Sequence, residues 1–161
     1  MLSRWFYGSI PAGTADLKLT YCRNVKSPKL IGYVDADWAS SSYDRKSTSG
    51  FIYYVYGCPI SWCSKKQTTV ATSSSEAEYI ALSLSVSEGV WIHGILEDMQ
   101  EMRKDEVFVL NEDNAGCINM AKNFECKRSR HIDIKYHFIR EFVAKGILKI
   151  PYVPTSCRHT Y

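Results

Sequence analysis

Asp35, Glu76 and Asp113 stand where extended or helical segments begin or end, and their type and spacing carry the chemistry of this chain. Asp35 closes the run Leu30-Ile31-Gly32-Tyr33-Val34, and alternation along an extended chain puts Ile31, Tyr33 and Asp35 on one face. Asp113 follows Val107-Phe108-Val109-Leu110 and keeps the phase of Val107 and Val109 where extension persists. Glu76 falls in the first turn of a long helical segment opening near Ser74. Three carboxylates on element ends can converge on one edge of a sheet. Like charges so placed repel, and a divalent cation offsets that cost, Mg²⁺ with its preference for hard oxygen ligands in particular, or Mn²⁺. Two such ions about 4 Å apart activate a water and stabilise the leaving oxygen in phosphodiester hydrolysis. On spacing alone the commoner reading of such acids is helix caps and solvated surface, and the metal reading stands beside it. Of the neighbouring acids, Asp37 shares the phase of Asp35, Glu78 points away from Glu76 around the helix, and Glu112 is out of phase with Asp113.

The elements that would position these groups follow from periodicity. Gly50-Phe51-Ile52-Tyr53-Tyr54-Val55-Tyr56 and Ile60-Ser61-Trp62-Cys63-Ser64 are aromatic or β-branched runs with a tight Gly57-Cys58-Pro59 turn between them. With the first strand they predict a three-stranded antiparallel meander over 30–64. Ser73 with Glu76 has capping-box spacing. Ala77, Ile80, Leu84, Ser87, Trp91 and Ile95 recur at helical spacing and predict the inward stripe, with Gly89 and Gly94 as weak points in the helix. A fourth strand over 107–110, a short helix from Asn114 to Met120, a helix over 134–144 and a last strand over 147–153 complete the order. One mixed sheet covered by helices results, with the fourth strand beside the first and parallel to it. Trp38, Trp62 and Trp91 are expected in the core.

With 161 residues, 45% of them hydrophobic and 23% charged, the chain is long enough for one domain with its own core and too apolar for disorder. A net charge of +3 permits a nucleic-acid partner without demanding one. Six cysteines without a CxxC pair argue against zinc and, at this chain length, for free thiols in a reducing compartment. The opening residues are too broken for a signal sequence, and no apolar run approaches a membrane span, so a soluble intracellular protein, cytoplasmic or nuclear, is expected. Basic residues offer phosphate contacts in two groups: Lys65 and Lys66 with Gln67, and Lys127, Arg128, Arg130, Lys135 and Arg140. A solvated face explains such a charge run more often than a site. His131, Asp133 and His137 suggest a local hydrogen-bonded group rather than a metal site.

Gly32-Tyr33-Val34-Asp35-Ala36-Asp37-Trp38-Ala39, Asp44-Arg45-Lys46-Ser47-Thr48-Ser49-Gly50, Ile60-Ser61-Trp62 and Ser74-Ser75-Glu76-Ala77-Glu78-Tyr79-Ile80-Ala81-Leu82 follow one another in a telling order. Asp113-Asn114, then His131-Ile132-Asp133-Ile134-Lys135-Tyr136-His137-Phe138-Ile139-Arg140-Glu141, then Tyr152-Val153-Pro154-Thr155 continue it. From residue 13 onward the chain resembles the ribonuclease H domain of Ty1/copia-type retrotransposon Pol polyproteins. Gly13 to Leu17 and Tyr21 resemble the stretch joining that domain to the preceding reverse transcriptase. The resemblance implies an α/β ribonuclease H-like fold with a mixed five-stranded sheet in the order 3-2-1-4-5 and flanking helices. It implies Mg²⁺-dependent cleavage of RNA in RNA–DNA hybrids, with Asp35, Glu76 and Asp113 as catalytic metal ligands, no small-molecule cofactor and no membrane. It divides the chain into a leader or connection remnant (1–27), the domain (28–156) and an aberrant tail (157–161). The family continues into a closing helix with Leu-Ala-Asp, whose Asp is the fourth ligand, where this chain reads Ser156-Cys157-Arg158-His159-Thr160-Tyr161. The final helix and the fourth ligand are therefore expected to be missing, and the isolated chain to be a weak or inactive nuclease. The alternatives are a non-catalytic nucleic-acid-binding or structural remnant of a transposon polyprotein, and the unstable product of a decayed reading frame.

Overall fold

The computed structural model describes residues 18–22, 26–122 and 130–154, with the backbone alone for 130–136. The three-stranded meander forms as expected and runs longer at its ends: β1 (Leu30–Asp37), β2 (Thr48–Val55) and β3 (Cys58–Lys66). β1 pairs antiparallel with β2, and β2 with β3, with a register shift at Tyr53/Tyr54. After α1 (Ser74–Asp98), β4 (Phe108–Asn111) returns parallel to β1. Then come α2 (Ala115–Lys122), α3 (Arg130–Ala144) and the short β5 (Leu148–Lys149), which pairs parallel with β4. The sheet order is β3-β2-β1-β4-β5. The last strand is shorter than its apolar run: beyond β5 only a bridge between Glu112 and Tyr152 continues the pairing.

The core lies between the sheet and α1, where Val34, Tyr53, Phe108 and Leu110 meet Leu82 and Val86. α1 is unbroken through Gly89 and Gly94. By length and composition it is apolar enough to cross a membrane, contrary to the sequence reading; here it is packed across the sheet. The inward stripe is the principal correction. Ala77 is buried, but Leu84, Trp91 and Ile95 are exposed, and the buried face carries Glu78, Leu82, Ser85, Gly89, Ile92 and Leu96 instead. The cause is close approach. Gly89 packs so tightly that a Cβ there would stand 2.4 Å from Tyr53 Oη and 2.7 Å from Phe108 Cε2. The line of closest approach must therefore be small at Gly89, with Tyr79, Leu82, Val86, Ile92 and Leu96 packing to either side of it, and it is this face rather than that of Leu84, Trp91 and Ile95 that meets the sheet. Trp38, Trp62 and Trp91 are also exposed rather than in the core. Trp38 instead donates its Nε1–H to Ala71 O at 3.2 Å and ties the exit of β1 to the approach to α1.

Candidate active site

Asp35 and Asp113 reach one place because β1 and β4 are parallel neighbours, with Tyr33 level with Asn111. Both side chains are half-buried. The third acid brought to them is Glu78, only 6% exposed on the sheet side of α1. One carboxylate oxygen from each of Asp35, Glu78 and Asp113 lies within 4.8 Å of the others. Glu76 is not part of this cluster. Its Oε2 accepts from the backbone N–H of Thr72 at 2.7 Å and from the Thr72 hydroxyl, while its own N–H donates to Ser73 Oγ at 3.2 Å. The capping expectation thus holds at Ser73, with the return bond displaced to Thr72, and capping engages the carboxylate that the sequence reading assigned to metal. Two positions on a helix are about 200° apart, so a face that buries Glu78 turns Glu76 outward. The misplaced stripe and the misplaced carboxylate are one error of helix phase.

Glu112, set aside in the sequence reading as out of phase with Asp113, has a structural role there. It is fully buried, and its Oε1 accepts the backbone N–H groups of Asp113 at 3.0 Å and Asn114 at 2.9 Å. Such charge-assisted bonds offset part of the cost of burying a carboxylate, and they fix the backbone that carries Asp113. Asn114 caps α2, its Oδ1 accepting Cys117 N–H at 2.9 Å and the Ser75 hydroxyl at 3.0 Å. The second contact joins the start of α1 to the start of α2, so Glu78 and Asp113 are positioned by one connected set of bonds. The only sequence signal for Glu112 is an acid standing where an inward apolar residue is due, two positions after Leu110.

Cys117 lies fully buried beneath the cluster. Burial, then the charges of Glu112, Glu78 and Asp113, push its thiol well above the usual range. Both effects suppress the thiolate that reacts with alkylating agents. In the folded chain iodoacetamide should modify exposed Cys22 readily and Cys117 only after unfolding, as read by peptide mass mapping. Equal labelling of the two without denaturant would contradict this packing.

The residues expected to meet phosphates separate into three groups. Lys65 is exposed beside a groove of about 260 Å³ between the end of β3 and α1. Lys66 pairs with Asp44 at 2.9 Å and donates to Ser41 Oγ at 3.1 Å; Ser41 and then Lys66 hold the Asp44 carboxyl well below the usual carboxylate range. Gln67 and Arg140 are corrected to buried connectors. Gln67 Nε2 donates to Ser49 Oγ and Ala77 O, both at 2.9 Å, and Arg140 donates to Met120 O at 3.1 Å. A long polar side chain in the interior must spend its donors on backbone and hydroxyl partners, which leaves neither of these facing solvent. The Arg130, Lys135, His131 and Asp133 side chains, with Lys127 and Arg128, lie outside the described residues.

No family model matches the chain. It is 35% identical over 154 residues to the retrovirus-related Pol polyprotein from transposon TNT 1-94 of Nicotiana tabacum, covering 95% of this chain and 11% of that protein. It is 42% identical over 128 residues to the Pol polyprotein from transposon RE1 of Arabidopsis thaliana, covering 78% of this chain and 9% of that one. The chain thus spans about a tenth of the length of the curated relatives it matches. Among solved structures, LC11-RNase H1 in complex with an RNA/DNA hybrid superposes with a TM-score of 0.54 at 14% identity, covering 81% of this chain and 89% of that one. That likeness establishes the fold, and the polyprotein matches establish the kinship: the chain is a ribonuclease H-type domain of the Ty1/copia-type retrotransposon Pol family.

Proposed function

We propose that Asp35, Glu78 and Asp113 bind divalent cations, Mg²⁺ or Mn²⁺, and that the site hydrolyses RNA in an RNA–DNA hybrid. The convergence of the three carboxylates carries this reading. Its donors are all hard oxygens, which suits these ions, and buried Glu112 holds the backbone that carries Asp113. When bound, the cations supply an activated water and charge stabilisation for the leaving oxygen. The protein contributes position. Paired strands fix Asp35 and Asp113 relative to each other, and the bond from Ser75 to Asn114 fixes α1, and with it Glu78. Lys65 remains open to meet phosphates, with Arg130 and Lys135 as further candidates. The hybrid would be distinguished by groove shape and 2′-hydroxyls rather than base identity. Attachment to a reverse transcriptase within a longer polyprotein belongs to the same proposal and rests on the Pol relatives.

Labelled RNA–DNA hybrid incubated with the chain and Mg²⁺ or Mn²⁺ tests the reading, with hybrid binding measured alongside. Weak cleavage of the RNA strand, removed by Asp113→Asn, is the expected result. Hybrid binding without cleavage at any metal concentration would favour a non-catalytic nucleic-acid-binding remnant and overturn the nuclease proposal.

A further inference from the structure

Besides the face packed on the sheet, α1 carries a second apolar stripe that the fold covers only in part. On the outer face Ile80, Leu84, Ser87, Trp91 and Ile95 form a stripe that ends at Met99. Leu84 and Ile95 are each 37% exposed, Trp91 61% and Met99 65%. An apolar strip of this kind is open to a partner. Its spacing says with what. The residues are arranged almost symmetrically about Ser87, so an antiparallel copy of the same helix sets Leu84 against Trp91 and Ile80 against Ile95, with the small Ser87 at the crossing. Gly94, on the same side, has nothing within 4 Å of where a Cβ would be, which leaves room for a neighbour. Glu88, beside the centre, donates no charge to the seam because it is turned to the Ser61 hydroxyl of β3 at 2.6 Å.

The two ends of the strip carry opposite charge. Lys65 lines the groove beside Ile80 and Leu84, and exposed Asp98 lies beyond Ile95, in a last turn without basic residues. Among the described residues neither forms an ion pair. Antiparallel pairing brings each Lys65 toward the other copy's Asp98.

We propose that the outer face of α1, with the adjoining end of β3, pairs with a second copy of this chain in an antiparallel two-fold dimer. A two-fold interface repeats each contact twice, so the Leu84–Trp91 and Lys65–Asp98 contacts both count double. The strip from Ile80 to Met99 is about 28 Å long and about 10–12 Å wide, or roughly 300 Å² per copy, well short of the ~800 Å² per partner of a standard stable interface. The dimer is accordingly weak. Glu78 and the acid cluster lie on the opposite side of α1, so the dimer stands or falls independently of the metal site.

Sedimentation velocity on the full chain, without nucleic acid, over roughly 5–500 μM decides the matter. A concentration-dependent shift from monomer to dimer is expected, lost in Trp91→Lys at unchanged melting temperature. Lys65→Glu and Asp98→Lys should each weaken association about fivefold, as two exposed ion pairs would, and the double charge reversal should restore it. A chain that stays monomeric throughout overturns the proposal. So does association indifferent to Trp91→Lys, and so does a double reversal no stronger than the single variants.

Discussion

Glu78→Gln lowers Mn²⁺ affinity about tenfold or more and hybrid cleavage about a hundredfold or more, whereas Glu76→Gln leaves both within about threefold. The contrast follows from where the two side chains go. Glu78 is buried beside Asp35 and Asp113, so its amide removes one of three convergent charges and one oxygen ligand while keeping the shape. A reacting group displaced by about 1 Å already costs on the order of a hundredfold in rate, and a metal-assembled site that loses a ligand suffers both displacement and loss of charge. Glu76 is occupied with Thr72. A glutamine oxygen still accepts those bonds, so the variant loses only a favourable charge at the helix start, worth about 0.3–1 kcal/mol of stability. Isothermal titration with Mn²⁺, and cleavage of labelled hybrid where the parent chain is active, compare the variants directly. Metal affinity that falls as far in Glu76→Gln as in Glu78→Gln would mean that the cluster is not the cation site.

The same helix shows how far the sequence could be read. Strand identity, sheet order and the parallel return to β1 were all legible, because apolar alternation and tight turns are local signals and the family motifs fix their order. Asp35 and Asp113 were legible for the same reason: each ends a strand whose phase is visible. Glu78 was not, because its assignment depends on which side of α1 meets the sheet. Hydrophobic periodicity fits two sides of this largely apolar helix: one carries Leu84, Trp91 and Ile95, whereas the side that packs combines Tyr79, Leu82, Val86, Ile92 and Leu96 with the small Ala81, Ser85 and Gly89 that admit Tyr53 and Phe108. Gln67 and Arg140 failed in a related way. Their types suggest surface and phosphate, and only tertiary packing shows that each is used up in bonding two elements together.

That tight packing makes Gly89→Ala a sharp test, because two principles give opposite signs. Within an isolated helix, alanine in place of glycine stabilises by about 1 kcal/mol. Here the added methyl meets Tyr53 Oη at 2.4 Å and Phe108 Cε2 at 2.7 Å, contacts that require something to move. Tyr53 cannot yield cheaply. It is completely buried, its hydroxyl donates to Ser85 O at 2.8 Å and the Ser85 hydroxyl donates back to it at 3.2 Å. Overpacking of this kind costs about 1–3 kcal/mol, and packing should win: Gly89→Ala lowers the melting temperature by about 2–4 °C per kcal/mol lost, the scale for a domain of this size. Gly94→Ala supplies the control, since nothing stands within 4 Å of its Cβ position, and it should stabilise by about 0.5–1 kcal/mol. Tyr53→Phe removes the nearer of the two clashing groups at the cost of about 1 kcal/mol of buried hydrogen bonding. In that background Gly89→Ala should therefore be milder, with the loss in the double variant smaller than the sum of the two single losses, while the Phe108 contact and the retained ring carbon Cζ at 2.9 Å keep the relief partial. Thermal or urea unfolding of the four variants measures all these quantities. If Gly89→Ala stabilises as much as Gly94→Ala, the approach of α1 to β2 and β4 is looser than described, and the reason given for the helix phase, and with it for Glu78 facing the cluster, fails.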